Sequence, residues 1–326
     1  MIATETAIQN LSFLINGKWE RPQGSSLHPI TNPATGAVIA QVPYASEADI
    51  DRTVRTAHAA FATWRDVPVV DRVQVLYRYK DLLEKNLERL ARTLTTENGK
   101  TFEDARMEVR RAIQMVEFAC GAPTLMMGDS LNDVSRGIDS KTIREPLGVC
   151  VGITPFNFPA MVPMWMFPFA IACGNTFVLK PSEKVPMTPT VAAELLAEAG
   201  VPAGVFNLVQ GDKVAVDALL HHPLVKAVSF VGSTPIAKYI YQTAAAQEKQ
   251  QKYADAVASY RAALKVIPND PRATKGADFA QHMADGQKAL TARKFADATR
   301  EFEAALKVIP NHVDATSYLK RAREGR

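Results

Sequence analysis

From Lys141 the hydrophobic period changes, and the chain is left few ways to fold. "KTIREPLGVCVGIT" reads as a strand, "AMVPMWMFPFAIACG" as an apolar helix carrying Pro163 and Pro168, and "NTFVLK" as a strand. Helix "TPTVAAELLAEAG", strand "VFNLVQG", helix "DKVAVDALLHHP" and strand "AVSFVGS" follow, with a last helix expected from Thr234-Pro235. Strands that alternate with helices this closely must run parallel and be covered on both faces. The expected fold class is α/β with a doubly wound, Rossmann-like sheet.

The polar insertions recur at one phase of this rhythm. Thr154–Asn157 ends one strand, Lys180–Glu183 the next, and Gly232-Ser233 the last. Ligands of doubly wound sheets bind outside the carboxyl ends of the strands, so the three groups are expected to converge on one crevice. In "GITPFNFP", Asn157 stands between prolines. Its amide carries two donors, and a pre-organised donor suits a developing oxyanion. An Asx-turn residue is the alternative. In "LKPSE", Lys180 and Glu183 can share the hydroxyls of a ribose, or can be a surface ion pair. In "FVGSTP", Gly232 allows close backbone approach, Ser233 adds a hydroxyl, and the following helix presents free N–H groups to a phosphate. Ser-Thr-Pro is also an ordinary helix start.

Upstream, residues 11–45 read as short strands and turns. Helix "SEADIDRTVRTAHAAFATW" opens on a capping-box-like Ser46 and Asp49, and one helix is expected through "VDRVQVLYRYKDLLEKNLERLARTLTTENG" to Gly99. A third covers about Phe102–Cys120. The three cysteines, Cys120, Cys150 and Cys173, form no zinc pattern and no disulfide framework, and read as small core residues of a reducing compartment. The expected location is cytoplasmic: there is no secretory signal and no run approaching the roughly 20 apolar residues of a membrane span. Residues 1–246 carry 23 Lys/Arg against 24 Asp/Glu, and the remainder 15 against 10. The basic excess is interspersed with acids at helical spacing, so a solvated helix face is expected and no nucleic-acid partner.

"GITPFNFPAMVPMWMFPFAIACGNTFVLKPSEKVPMTP", followed by "AVSFVGSTPIAKYIY", resembles the NAD-dependent aldehyde dehydrogenase superfamily, in particular its CoA-acylating methylmalonate-semialdehyde dehydrogenase branch. The likeness runs from about Leu11 to about Ala246. It implies NAD as cofactor, coenzyme A as co-substrate, a small aldehyde as substrate, and oxidation of methylmalonate or malonate semialdehyde to an acyl-CoA with loss of CO2. By that likeness Thr154 and Phe156 line the cofactor cleft, Asn157 donates to the oxyanion, and Lys180, Glu183 and Lys184 hold the adenosine ribose. Ser233 contacts the pyrophosphate, and Arg111 engages the substrate carboxylate. The family's nucleophilic cysteine lies beyond the helix from Thr234, and none of the three cysteines has the matching context. The chain is therefore expected to be a truncated cofactor domain, inactive alone.

A different pattern closes the chain. "QKYADAVASYRAALKVIPN" at 251–269 recurs as "RKFADATREFEAALKVIPN" at 293–311, with 12 of 19 positions identical. The pattern looks like an all-α tetratricopeptide-like helical hairpin repeat, which implies a peptide or protein partner. The expected domains are 1–245 and 246–326. No Pro or Gly lies between Pro235 and Pro268. One helix is expected from about Pro235 to about Gln250, with turns at Gln250–Tyr253 and Ala292–Phe295. Three readings stay open: an enzyme by descent, a repeat module on a remnant cofactor domain, and a truncated or fused gene product.

Overall fold

The computed structural model describes residues 8–22, 26–241 and 271–325, together with 243, 253 and 257. Five short strands come first: β1 (Gln9–Asn10), β2 (Phe13–Ile15), β3 (Lys18–Glu20), β4 (Leu27–Thr31) and β5 (Val38–Pro43). Asn16 and Gly17 join β2 to β3 at φ of 53° and 73°, the left-handed geometry a two-residue hairpin requires. Helix α1 (Glu47–Trp64) opens on the expected capping box: Ser46 Oγ accepts the Asp49 N–H while the Asp49 carboxylate accepts the Ser46 N–H.

The single helix expected up to Gly99 is two, α2 (Val69–Lys85) and α3 (Leu87–Asn98). Asn86 leaves helical geometry at φ −106° and ψ 15°, and its side-chain amide donates to the Leu82 carbonyl at 2.9 Å. A short polar side chain competing for backbone groups interrupts the helix there. Gly99 ends α3 in left-handed conformation, as expected. Helices α4 (Phe102–Cys120) and α5 (Ala122–Leu125) follow, then an unexpected hairpin of β6 (Ser130–Ser135) and β7 (Ile138–Lys141). Both of its strands are exposed throughout, so no buried face marks them in the sequence.

The alternation then appears as read: β8 (Val149–Ile153), α6 (Met161–Ala172), β9 (Thr176–Lys180), α7 (Met187–Glu198), β10 (Phe206–Leu208), α8 (Lys213–His221) and β11 (Val225–Phe230). The sheet order is β11-β8-β9-β10-β2-β3, the first four parallel and the last two antiparallel. After β10 the chain crosses back over β9 and β8 to lay down β11, so the direction of winding reverses between β8 and β11. That is the topological switch of a doubly wound sheet. Helices α1 and α8 pack on one face, and α6 lies on the other against α2 and α4. Phe167 of α6 fills that layer, with ring centroids 4.9 Å from Phe206 and 6.2 Å from Phe177. Burying each such side chain stabilises by roughly 1.5–3 kcal/mol. Cys120, read as a small core residue, is buried in this core beside Ala119, while Phe118 of the same turn is exposed.

Backbone over 234–241 is helical (α9). The chain divides into two compact units, Met1–Ala237 and Lys238–Arg326. The boundary expected at 245/246 and the far part of the helix expected to reach Gln250 lie outside the described residues. In the second unit, α10 (Pro271–Thr291), α11 (Phe295–Val308) and α12 (Val313–Arg323) pack through Phe279, Met283, Phe302 and Tyr318. The turn between α10 and α11 falls where expected. Gly286 of α10 lets α11 approach, since a Cβ there would stand 2.7 Å from the Phe302 ring. Apart from residues 253 and 257, the first copy of the repeat, 251–269, lies outside the described residues.

Candidate functional site

The carboxyl ends of β8, β9 and β11 meet at the switch point. The Thr154 N–H donates to the Lys180 carbonyl at 3.2 Å, and the Val231 N–H to the Ile153 carbonyl at 3.3 Å. The ends carrying Thr154, Lys180 and Ser233 are thus neighbours. Thr154 is buried, and among the described residues its hydroxyl has no hydrogen-bond partner.

Lys180 is 4% exposed, and its Nζ lies 3.3 Å from the Glu183 carboxylate. A surface ion pair is therefore the wrong description. Burial pulls the ammonium pKa below its ordinary value, opposed by the charges of Glu183 and Asp212. Those two carboxylates, after burial itself, also push the Tyr44 phenol up. Lys184 is exposed and holds its ammonium 4.9 Å from the centroid of the Phe156 ring, linking the loops after β8 and β9. Ser233 is exposed, and its carbonyl accepts the Ala237 N–H at 3.0 Å, opening α9.

Asn157 is exposed, and among the described residues its side-chain amide has no hydrogen-bond partner. The Asx turn is therefore not formed. The loop is gripped from behind. Asn98 Nδ2 donates to the Phe156 carbonyl at 2.8 Å, and Lys100 Nζ to the Asn157 carbonyl at 2.6 Å. Lys100 also pairs with the buried carboxylate of Glu108, which accepts the N–H groups of Ala160 and Met161 at 2.9 and 3.2 Å at the start of α6. Glu97 caps α7 in the same manner, accepting Met187 N–H and Thr188 N–H. These two glutamates escaped the sequence reading, although a signal exists. Glu97 falls on the apolar stripe of Leu90 and Leu94, and Glu108 beside Val109 and Ala112 on that of α4. An acid on a buried stripe must find donors, and helix N-termini supply them.

Arg111 stands exposed on α4, three residues beyond Glu108, with no ion-pair partner among the described residues. The sequence-derived residues thus fall into a close group (Thr154, Phe156, Lys180, Glu183 and Lys184) with Asn157 adjoining Phe156, a neighbouring turn (Ser233), and one exposed cation on α4 (Arg111). The first unit has a cavity of about 420 Å³ beside Trp19, Arg89 and Glu194, and the second unit one of about 610 Å³ beside Pro271, Lys275 and Val308. Neither contains a residue of this group.

Such an array can hold hydroxyls and phosphates along one line of strand ends. The aldehyde dehydrogenase family model matches residues 19–295. The chain belongs to the aldehyde dehydrogenase family. Malonate-semialdehyde dehydrogenase 2 of Geobacillus kaustophilus is 54% identical over 245 residues, 75% of this chain and 51% of that protein. The crystal structure of methylmalonate-semialdehyde dehydrogenase from Oceanimonas doudoroffii superposes with TM-score 0.72 at 50% identity, over 73% of this chain and 49% of that one. A Sinorhizobium meliloti structure, described as a methylmalonate-semialdehyde dehydrogenase complexed with NAD, has the same TM-score at 47% identity, over 74% and 49%. The chain spans about half the length of the curated relatives it matches. No described helix is long and apolar enough to cross a membrane.

Proposed function

We propose that the first unit is the nucleotide-binding half of an NAD-dependent, CoA-acylating semialdehyde dehydrogenase. The substrate would be malonate or methylmalonate semialdehyde, converted to an acyl-CoA with loss of CO2. The observation that carries this reading is the burial of Lys180 against Glu183 at the end of β9, beside the unpartnered Thr154 hydroxyl. A buried cation, a carboxylate able to accept from two hydroxyls and an orphaned buried hydroxyl fit a dinucleotide.

Lys180, Glu183 and Lys184 would hold the ribose, Ser233 and the N–H groups opening α9 the pyrophosphate, and Thr154 and Phe156 the cleft wall. Bound there, NAD supplies the hydride acceptor. Asn157 would donate to the oxyanion, its amide otherwise unengaged. Arg111 would meet the substrate carboxylate with a two-pronged guanidinium.

The reaction needs a thiolate. Burial pushes the thiols of Cys120 and Cys150 up to about 11, and that of Cys173 upward as well. None of them suits attack on an aldehyde near neutral pH. The chain by itself is expected to bind nucleotide without turnover. Calorimetric titration with NAD should show Lys180→Ala and Ser233→Ala binding roughly tenfold more weakly than wild type, the scale of one charge-assisted hydrogen bond. Equal binding by all three overturns the assignment. NADH formation from malonate semialdehyde, NAD and coenzyme A, abolished by thiol alkylation, would overturn the absence of turnover.

A second reading rests on the duplicated stretch at 251–269 and 293–311. A tetratricopeptide-like hairpin would take a peptide or protein partner, in a genuine fusion or a recombined reading frame. Long-read sequencing across the codons for 235–255 separates those two origins.

A further inference from the structure

We infer that Asn98, Lys100 and Glu108 are positioning residues that fix the Asn157 loop from outside the nucleotide cleft. The inference deepens the reading of Asn157 as oxyanion donor and rests on it. Asn98 and Lys100 engage two consecutive main-chain carbonyls, those of Phe156 and Asn157. They hold the backbone from which the Asn157 amide projects while leaving that amide free. Three fixtures surround the Lys100 ammonium: the Asn157 carbonyl, the Glu108 carboxylate, and the Phe158 ring 3.9 Å away. Glu108 divides its oxygens, Oε2 to Lys100 and Oε1 to the first N–H groups of α6. The loop is therefore pinned at 156 by the Asn98 amide, and at 157, 160 and 161 by the connected charges of Lys100 and Glu108.

The turn at Gly99 makes this reach possible. Gly99 sits at φ 84°, and a Cβ there would stand 2.9 Å from Pro33 Cγ. On the near side of that turn Glu97 caps α7, behind the loop bearing Lys180–Glu183. The stretch Glu97-Asn98-Gly99-Lys100 thus supports both cofactor loops, by separate residues. Ordinary packing would loosen everything together on mutation, whereas separate supports fail separately.

Amide hydrogen exchange on the whole chain tests this. Lys100→Met should raise exchange at Ala160 and Met161 by roughly tenfold, the factor matching a charge-assisted hydrogen bond. Met187 and Thr188 should stay unchanged. Glu97→Gln should do the reverse. Lys100→Arg should restore wild-type exchange at 160 and 161. Asn98→Ala removes one exposed hydrogen bond without unpairing a buried charge. It should shift the Asn157 side-chain amide resonance even if Lys100→Met folds poorly. Uniform loosening by Lys100→Met and Glu97→Gln, or an Asn157 resonance unmoved by Asn98→Ala, overturns the inference. A parallel NAD titration keeps the two readings apart. If the crossed pattern appears and wild type binds no NAD, the positioning stands and the cofactor reading falls.

Discussion

Glu97 stands in front of Thr188. Its Oε1 accepts the Thr188 N–H at 2.7 Å while Oε2 accepts that of Met187, so one buried side chain satisfies two of the free donors opening α7. Burial raises its pKa from 4.5 to about 7; the hydrogen bonds from Thr188 and Met187 oppose the rise, and the Glu108 charge adds to it. The folded state thus holds this proton more tightly than the unfolded state. The stabilisation is complete below about pH 4.5 and is lost as pH rises to about 7. Unfolding free energy should fall across that window by on the order of 1 kcal/mol per pH unit, and Glu97→Gln should flatten the slope. Urea titrations at several pH values, followed by tryptophan fluorescence, measure it. An unchanged slope in the variant rejects the assignment.

Arg72 lies buried, and among the described residues no carboxylate pairs with it. Its guanidinium donates to the Ala172 carbonyl at the end of α6 and to the Arg65 and Val67 carbonyls between α1 and α2. Burial lowers its pKa. Arg72→Met would strand those carbonyls, and each buried unsatisfied group costs about 1–3 kcal/mol. The urea midpoint of the first unit should fall markedly. All three tryptophans, Trp19, Trp64 and Trp165, lie in that unit, so their fluorescence reports it alone.

Gly286 faces the Phe302 ring. Gly286→Ala gains about 1 kcal/mol of helix propensity but forces a methyl into a filled space, at a cost of roughly 1–3 kcal/mol. The ring is fully buried and stacked on Tyr318 at 5.3 Å, so it cannot swing aside freely. The helical circular dichroism signal of the second unit should melt earlier, with tryptophan fluorescence unaffected.

Thiol labelling should rank by exposure. Cys173 is the least buried and has the Arg72 charge drawing its pKa back down, so iodoacetamide at pH 8 should modify it before Cys120 or Cys150. Peptide mass spectrometry gives the order. Faster labelling of Cys150 would contradict the packing of β8.

The sequence made the parallel strands legible because their alternation with helices is dictated by burial on both faces. The polar groups at Asn157, Lys180 and Ser233 were legible because they interrupt apolar runs. The supports behind them were not. The apolar stripes on which Glu97 and Glu108 fall mark them only as acids in need of donors, and tertiary packing alone brings the donors of α6 and α7 to them. The break at Asn86 was hidden because apolar residues keep helical spacing on both sides of it. The β6–β7 hairpin was invisible for the opposite reason: without a buried face, its strands leave no alternation to read.

Strand β11 has β8 on one side and, among the described residues, no strand on the other. Its outer row of N–H and C=O groups is an open template onto which another extended segment can add. Lys226 and Ser229 are exposed along it, and a lysine at such a border discourages stacking of like chains through repulsion and desolvation. This six-residue border is therefore one place where copies of the chain can associate edge to edge. Replacing Lys226 with an apolar residue should shift the solution from dispersed chains toward self-associated ones, read by light scattering.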